Sequence, residues 1–220
     1  MFRVILYSQW KWSRLILGAG TVAAFALPII SMQGATGGGA DRGPLQAQAL
    51  LRAVQSWGTL YPLLAGALGL LVAITTWAAD HRGRHIHALT LPLPRWRYVL
   101  LRFAAGVTLL AAPMLAVLVG AVLATATAHI PPGLQVYAAA LALRFAIAVL
   151  VAYAVFFAIS AGTARTAGLI LAGIGALTLV QVFASVANLD FDLLGKLQLA
   201  IFNWPGPLAV FTGRWMLVDV

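Results

Sequence analysis

At 220 residues, 62% of them hydrophobic and only 9% charged, the chain lacks the polar surface that a soluble domain of this length carries. Its formal charge of +9 comes from 14 Lys and Arg set against 5 Asp, thinly spread between apolar runs rather than gathered into a nucleic-acid-binding face. The absence of Cys removes disulfides, thiolate metal sites and a Cys nucleophile. Nearly uncharged runs of ~18 residues or more recur, each long enough to cross a ~30 Å hydrocarbon layer as a helix. Backbone groups in lipid must be satisfied within their own segment, and the short alternating segments of a barrel do not occur. The composition predicts an all-α, polytopic helical membrane protein.

Residues 2–14 are amphipathic. Arg3, Tyr7, Lys11 and Arg14 fall at spacings of 4, 4 and 3 and make one polar stripe, with Phe2, Ile5, Leu6 and Trp10 on the other side. The pattern predicts a helix over 1–14, either lying in the headgroup plane or forming the basic flank of the first span. The run 15–32, with Pro28 near its far end, is that span; its length and aromatic-rich approach favour a retained anchor over a cleaved leader. Residues 34–44 are Gly-rich and loop-like. Residues 45–57 predict a short surface helix with Leu50, Val54 and Trp57 on one face.

The second span is 58–79, where Ala65, Gly69 and Ala73 form a ridge of small residues suited to close helix packing. The third is 99–127, with Pro113 expected to kink it. The fourth is 135–160, followed by a short link at 162–166. The fifth is 167–186, with a second ridge at Gly168, Ala172 and Ala176 and a polar Gln181 suited to bonding between helices. In 187–220, two short apolar pieces flank Trp204-Pro205-Gly206-Pro207, and neither is long enough to cross. They predict an outer re-entrant or interfacial hairpin.

Counting cations sets the orientation. With the N-terminus inside, the inner face holds Arg3, Lys11, Arg14, Arg82, Arg84, Arg95, Arg97, Arg102 and Arg165; the outer face holds Arg42, Arg52, Lys196 and Arg214. That excess predicts a multi-pass protein of the cell membrane with a cytoplasmic N-terminus. Trp10, Trp12, Trp57, Trp77, Trp96 and Trp204 fall near span ends, as interfacial anchors do.

Residues 80–102 form the one interior stretch where charge, proline and aromatic residues crowd together. Asp80 follows the second span and is placed to cap a short helix running to Leu91. On that helix Ile86 and Leu89 share an apolar face flanked by Arg82, Arg84 and His85. Pro92 and Pro94 end it, and Arg95-Trp96-Arg97-Tyr98 anchors the third span. Physics alone reads this as either a topology-setting basic loop or a lever that passes a push from a soluble partner into the membrane.

Asp80 and Gly83, followed by Leu89-Thr90-Leu91-Pro92 and Arg95, resemble the first cytoplasmic loop of ABC-2 type permeases, the membrane subunits of ATP-binding-cassette exporters. The likeness extends to the N-terminal helix, the paired spans around the loop and the hairpin after the fifth span. The family carries a sixth span, whereas the apolar runs of this chain give five, with the sixth absent or cut off. The likeness also implies that 80–98 is a coupling loop seated on a partner ATPase through Asp80, Arg82, Gly83, Arg84, Ile86, Leu89, Pro92 and Arg95. ATP and Mg would then belong to a cytosolic ATP-binding subunit, since the chain has no G-x-x-x-x-G-K-[ST] run and calls for no cofactor of its own. A second permease copy or a homologue, and membrane lipid, complete the implied partners. The implied activity is export of an apolar or amphipathic substrate. The alternative is a non-transporting structural or assembly subunit of a larger membrane complex.

Three further features bear on chemistry. Arg144 is the one charge well inside a span; it either faces a cavity and an anionic substrate or snorkels to the nearer surface. His81 and His85 share a helical face, but His87 does not, the only nearby carboxylate is Asp80, and the neighbouring arginines repel a cation, so no metal site is expected. No span carries paired carboxylates, a Ser–His pair or a His-Glu-x-x-His run, so an intramembrane enzyme is not expected.

Overall fold

The computed structural model describes residues 1–36, 44–82, 94–128, 130–131, 133–162, 193–206 and 208–219, together with scattered residues between 172 and 183. It is mostly helical. In chain order the elements are α1 (Phe2–Thr36), α2 (Pro44–Gly58), α3 (Leu60–Arg82), α4 (Arg95–Thr127), β1 (Gln135–Val136), α5 (Ala138–Ala161), α6 (Leu193–Phe202), a single 3-10 turn (Ala209–Phe211) and β2 (Val218–Asp219). Among the described residues, four helical stretches are long and apolar enough to cross a membrane: Phe2–Gln33, Leu50–Ala78, Arg95–Thr127 and Ala138–Ala161. The expected fifth span, with Gly168 and Gln181, lies largely outside the described residues.

The core is built where small residues let helices approach. The largest interface joins α1 to α4, and the next joins α3 to α5. On α1, Gln9, Ser13, Leu17, Ala24, Leu27 and Ser31 are buried at helical spacing, while Arg3, Tyr7, Lys11 and Arg14 are all exposed. The ridge on α3 packs as its spacing implies: Ala65 and Ala73 are fully buried, and a Cβ on Gly69 would fall 2.5 Å from Ala152 Cβ and 2.7 Å from Tyr153 N of α5. On α4, Gly120 lets the backbone of Phe25 in α1 come equally close.

Several boundaries differ from expectation. Residues 2–14 are not a separate interfacial helix; α1 runs unbroken from Phe2 to Thr36, because its buried face continues the same periodicity through Leu17 into the apolar run. The fourth span starts at Ala138 rather than 135, since Gln135 and Val136 pair antiparallel with Asp219 and Val218. That pairing is the one small β ladder among the described residues. Asp80 does not cap a new helix; it belongs to the last turn of α3, which continues to Arg82. Trp77 is buried instead of lying at a lipid interface.

The short helix predicted at 45–57 forms as α2 over Pro44–Gly58, with Pro44 in the first turn, where its missing N–H costs nothing. Its Leu50 and Val54 are buried and Trp57 packs against the core. The C-terminal hairpin folds back on the same end of the bundle. Trp215, Leu217 and Val218 join the core there, and Tyr61 stacks on Trp215 with ring centroids 6.3 Å apart. Gly58 has no Cβ to block Trp215, whose carbonyl oxygen would lie 2.6 Å from it.

Candidate functional site

The two ends of the bundle each carry an arginine set into a helix, and the stretch 80–102 springs from one of them. Asp80 and Arg82 occupy the last turn of α3, and Arg95 opens α4 after Pro94, where it is exposed. Gly83, Arg84, Ile86, Leu89 and Pro92, with His85 and His87, lie outside the described residues. Where α4 begins, the Arg97 guanidinium sits over the Trp96 ring at 5.1 Å.

One turn further, Arg102 ties the loop end together. It is counted by charge alone as an interfacial cation, yet it is buried between α3 and α4. Its guanidinium lies over the rings of Trp77 and Tyr98, at 5.1 and 4.9 Å. It also donates a 2.6 Å hydrogen bond to the Thr76 carbonyl. Gln9 of α1 donates to the Arg102 carbonyl at 3.1 Å, and Ser13 donates to the Gln9 carbonyl at 2.8 Å. Three helices therefore meet at one residue.

An aromatic cluster extends this knot to α5. Trp77 packs on Phe157 at 5.2 Å, Phe103 packs on Tyr153 at 5.2 Å, and Phe103 meets Phe157 edge-on at 5.3 Å. Gly106 leaves the space that the Tyr153 hydroxyl occupies. Sequence reasoning missed this cluster. The available signal was Trp77, Arg102, Phe103 and Gly106 gathered near facing span ends, but separating it from an interfacial belt requires knowing which helix faces are buried.

At the opposite end, Arg144 of α5 is half-buried and reaches the C-terminal segment. Its Nε donates to the Val210 carbonyl at 3.2 Å, and its terminal nitrogens donate to the carbonyls of Arg214, at 2.5 Å, and Thr212. The guanidinium also stacks on the Trp215 ring at 4.5 Å. Gly213 lies between these carbonyls with φ +85°, a left-handed conformation that lets the chain curl around the cation. Arg144 is only partly buried, and besides these carbonyls and the Trp215 ring it lines a space of about 240 Å3 with Tyr137, Arg214 and Asp219. It holds the Val210 carbonyl of the 3-10 turn and the Thr212 and Arg214 carbonyls of the segment that follows it.

Between α3, α5 and the hairpin lies a cavity of about 540 Å3. Leu63, Gly66 and Leu70 line one wall, Val155 and Phe156 the other, and Phe202, Leu208 and Phe211 form its roof. Among the described residues, no group of three or more His, Asp or Glu is placed to hold a metal ion.

The chain matches no known protein family, no characterised protein and no solved structure.

Proposed function

We propose that this chain is the membrane-spanning subunit of an ABC-2 type exporter. It would couple ATP hydrolysis by a separate cytosolic subunit to movement of an apolar or amphipathic substrate. The observation that carries the reading is mechanical. Residues 83–93 connect two helices whose ends are locked together through Arg102, and the lock includes α1 through Gln9 and α5 through Tyr153 and Phe157. A displacement applied to the loop is therefore delivered to four helices at once. Interiors packed at crystal-like density transmit such displacements instead of absorbing them. A loop that only sets topology has no use for a rigid base.

In this reading the N-terminus is cytoplasmic, Ile86 and Leu89 present the apolar contact to the ATPase, and Arg82, Arg84 and Arg95 frame it. Two such chains, or one with a homologue, enclose the pathway. ATP and Mg reside in the partner. The apolar cavity and the scarcity of polar groups on the spans support an apolar or amphipathic cargo.

The deciding experiment is co-purification from native membranes in mild detergent, with every partner identified. A stoichiometric soluble ATPase is expected, and Ile86→Asp with Leu89→Asp should release it or uncouple hydrolysis while leaving membrane insertion intact. Unrelated membrane subunits with no ATPase would assign the chain to the scaffold role instead.

A further inference from the structure

The cavity between α3, α5 and the hairpin is amphipathic when taken together with what adjoins it. Pro62 and Phe211 line the apolar cavity and also a second, smaller space of about 250 Å3 at the end of α3. That second space is mixed in character: Gln55, Thr59 and Arg214, all three exposed, line it beside Trp215 and Met216. An apolar slot alongside two spans thus opens at the span end into a mouth that carries a cation. We infer that this is a binding site for one anionic phospholipid, with an acyl chain in the slot and its phosphate at Arg214.

The chemistry selects this occupant over others. Among the described residues no polar side chain lines the slot, so it rewards hydrocarbon. Its volume falls within the ~300–1,000 Å3 typical of specific small-molecule sites. An apolar molecule without a headgroup would make no use of the mouth, whereas a guanidinium binds a phosphate through parallel hydrogen bonds. The order of the parts also suits a phospholipid, with the cation near the first turn of α3 and the slot running along α3 away from it. The inference holds whether or not the chain belongs to an exporter.

Gly66 supplies the test, because the Phe211 ring, the nearest described neighbour of a Cβ placed there, would lie 4.0 Å away. Gly66→Leu therefore fills the slot without forcing the helices apart. Gly18→Leu on α1, where a Cβ meets nothing within 4 Å, makes the same change elsewhere and serves as control. The full chain, in mild detergent, is offered phosphatidylglycerol or phosphatidylcholine and examined by native mass spectrometry. The wild type and Gly18→Leu are expected to hold one phosphatidylglycerol through activation that strips other lipid. Gly66→Leu should lower that retention several-fold, and Arg214→Gln should abolish the preference for phosphatidylglycerol over phosphatidylcholine.

Unchanged retention in Gly66→Leu overturns the site. Equal retention of both lipids by the wild type overturns the role of Arg214. A wild type that holds no lipid, and in which Gly66→Cys forms a disulfide with a cysteine introduced in 167–186, assigns the slot to the chain's own segment and overturns the inference outright.

Discussion

Arg102 and Arg144 are the same residue at opposite ends of one bundle, and they are satisfied in different ways. Arg102 is buried among three helices, over two aromatic rings, with its own carbonyl held by Gln9. Arg144 is half-buried and gathers three carbonyls from a single irregular segment. The first joins regular elements into a unit; the second fastens a loop to a unit that already exists. An arginine within an apolar helix is thus not by itself a ligand site, because backbone carbonyls and rings can meet its needs inside the chain.

Replacing Arg102 should separate the two ends most sharply. Arg102→Ala removes a charge-assisted hydrogen bond and two ring contacts, so a loss of about 2–4 kcal/mol is expected in denaturant unfolding in detergent micelles. Hydrogen exchange should rise in α1, α3 and α4 together. A rise confined to α4 would mean that the knot does not couple the helices. Arg102→Lys keeps the charge but loses the planar fork that reaches rings and carbonyl at once, and a smaller loss is expected in the same measurement.

Arg144→Ala should act locally, at about 1–2 kcal/mol, because its partners are carbonyls at a partly exposed edge. Exchange should increase across 208–219 with α4 and the loop end unchanged. If the whole bundle loosens, the clasp is part of the core and the contrast fails.

Two glycine substitutions give the finest test. Gly58→Ala puts a methyl 2.6 Å from the Trp215 carbonyl, and the hairpin end should lose about 1 kcal/mol through overpacking. Gly18→Ala meets nothing and should raise stability by ~0.5 kcal/mol, since Ala is the better helix former. Equal effects at the two positions would deny that the hairpin is packed as closely as it looks.

The sequence by itself determined what depends on composition and local period. The mostly helical fold with helices long and apolar enough to cross a membrane, the helices covering most of 99–127 and 58–79, the short helix bearing Leu50 and Val54, and the Ala65–Gly69–Ala73 ridge were all legible. Apolar run length and 3.6-residue spacing are local quantities, so no partner is needed to read them. What only the tertiary structure decided is where each polar or aromatic residue at a span end points. Trp77 and Arg102 carry the same signature as an interfacial anchor and a topology charge, yet both turn inward, because α1, α3 and α4 converge there and offer a carbonyl and two rings. Arg144 looked free to meet a substrate or the surface, and its partners lie 66–70 residues away in a segment with no periodicity. A contact between residues that distant is set by how the helices pack around it, which no local pattern encodes.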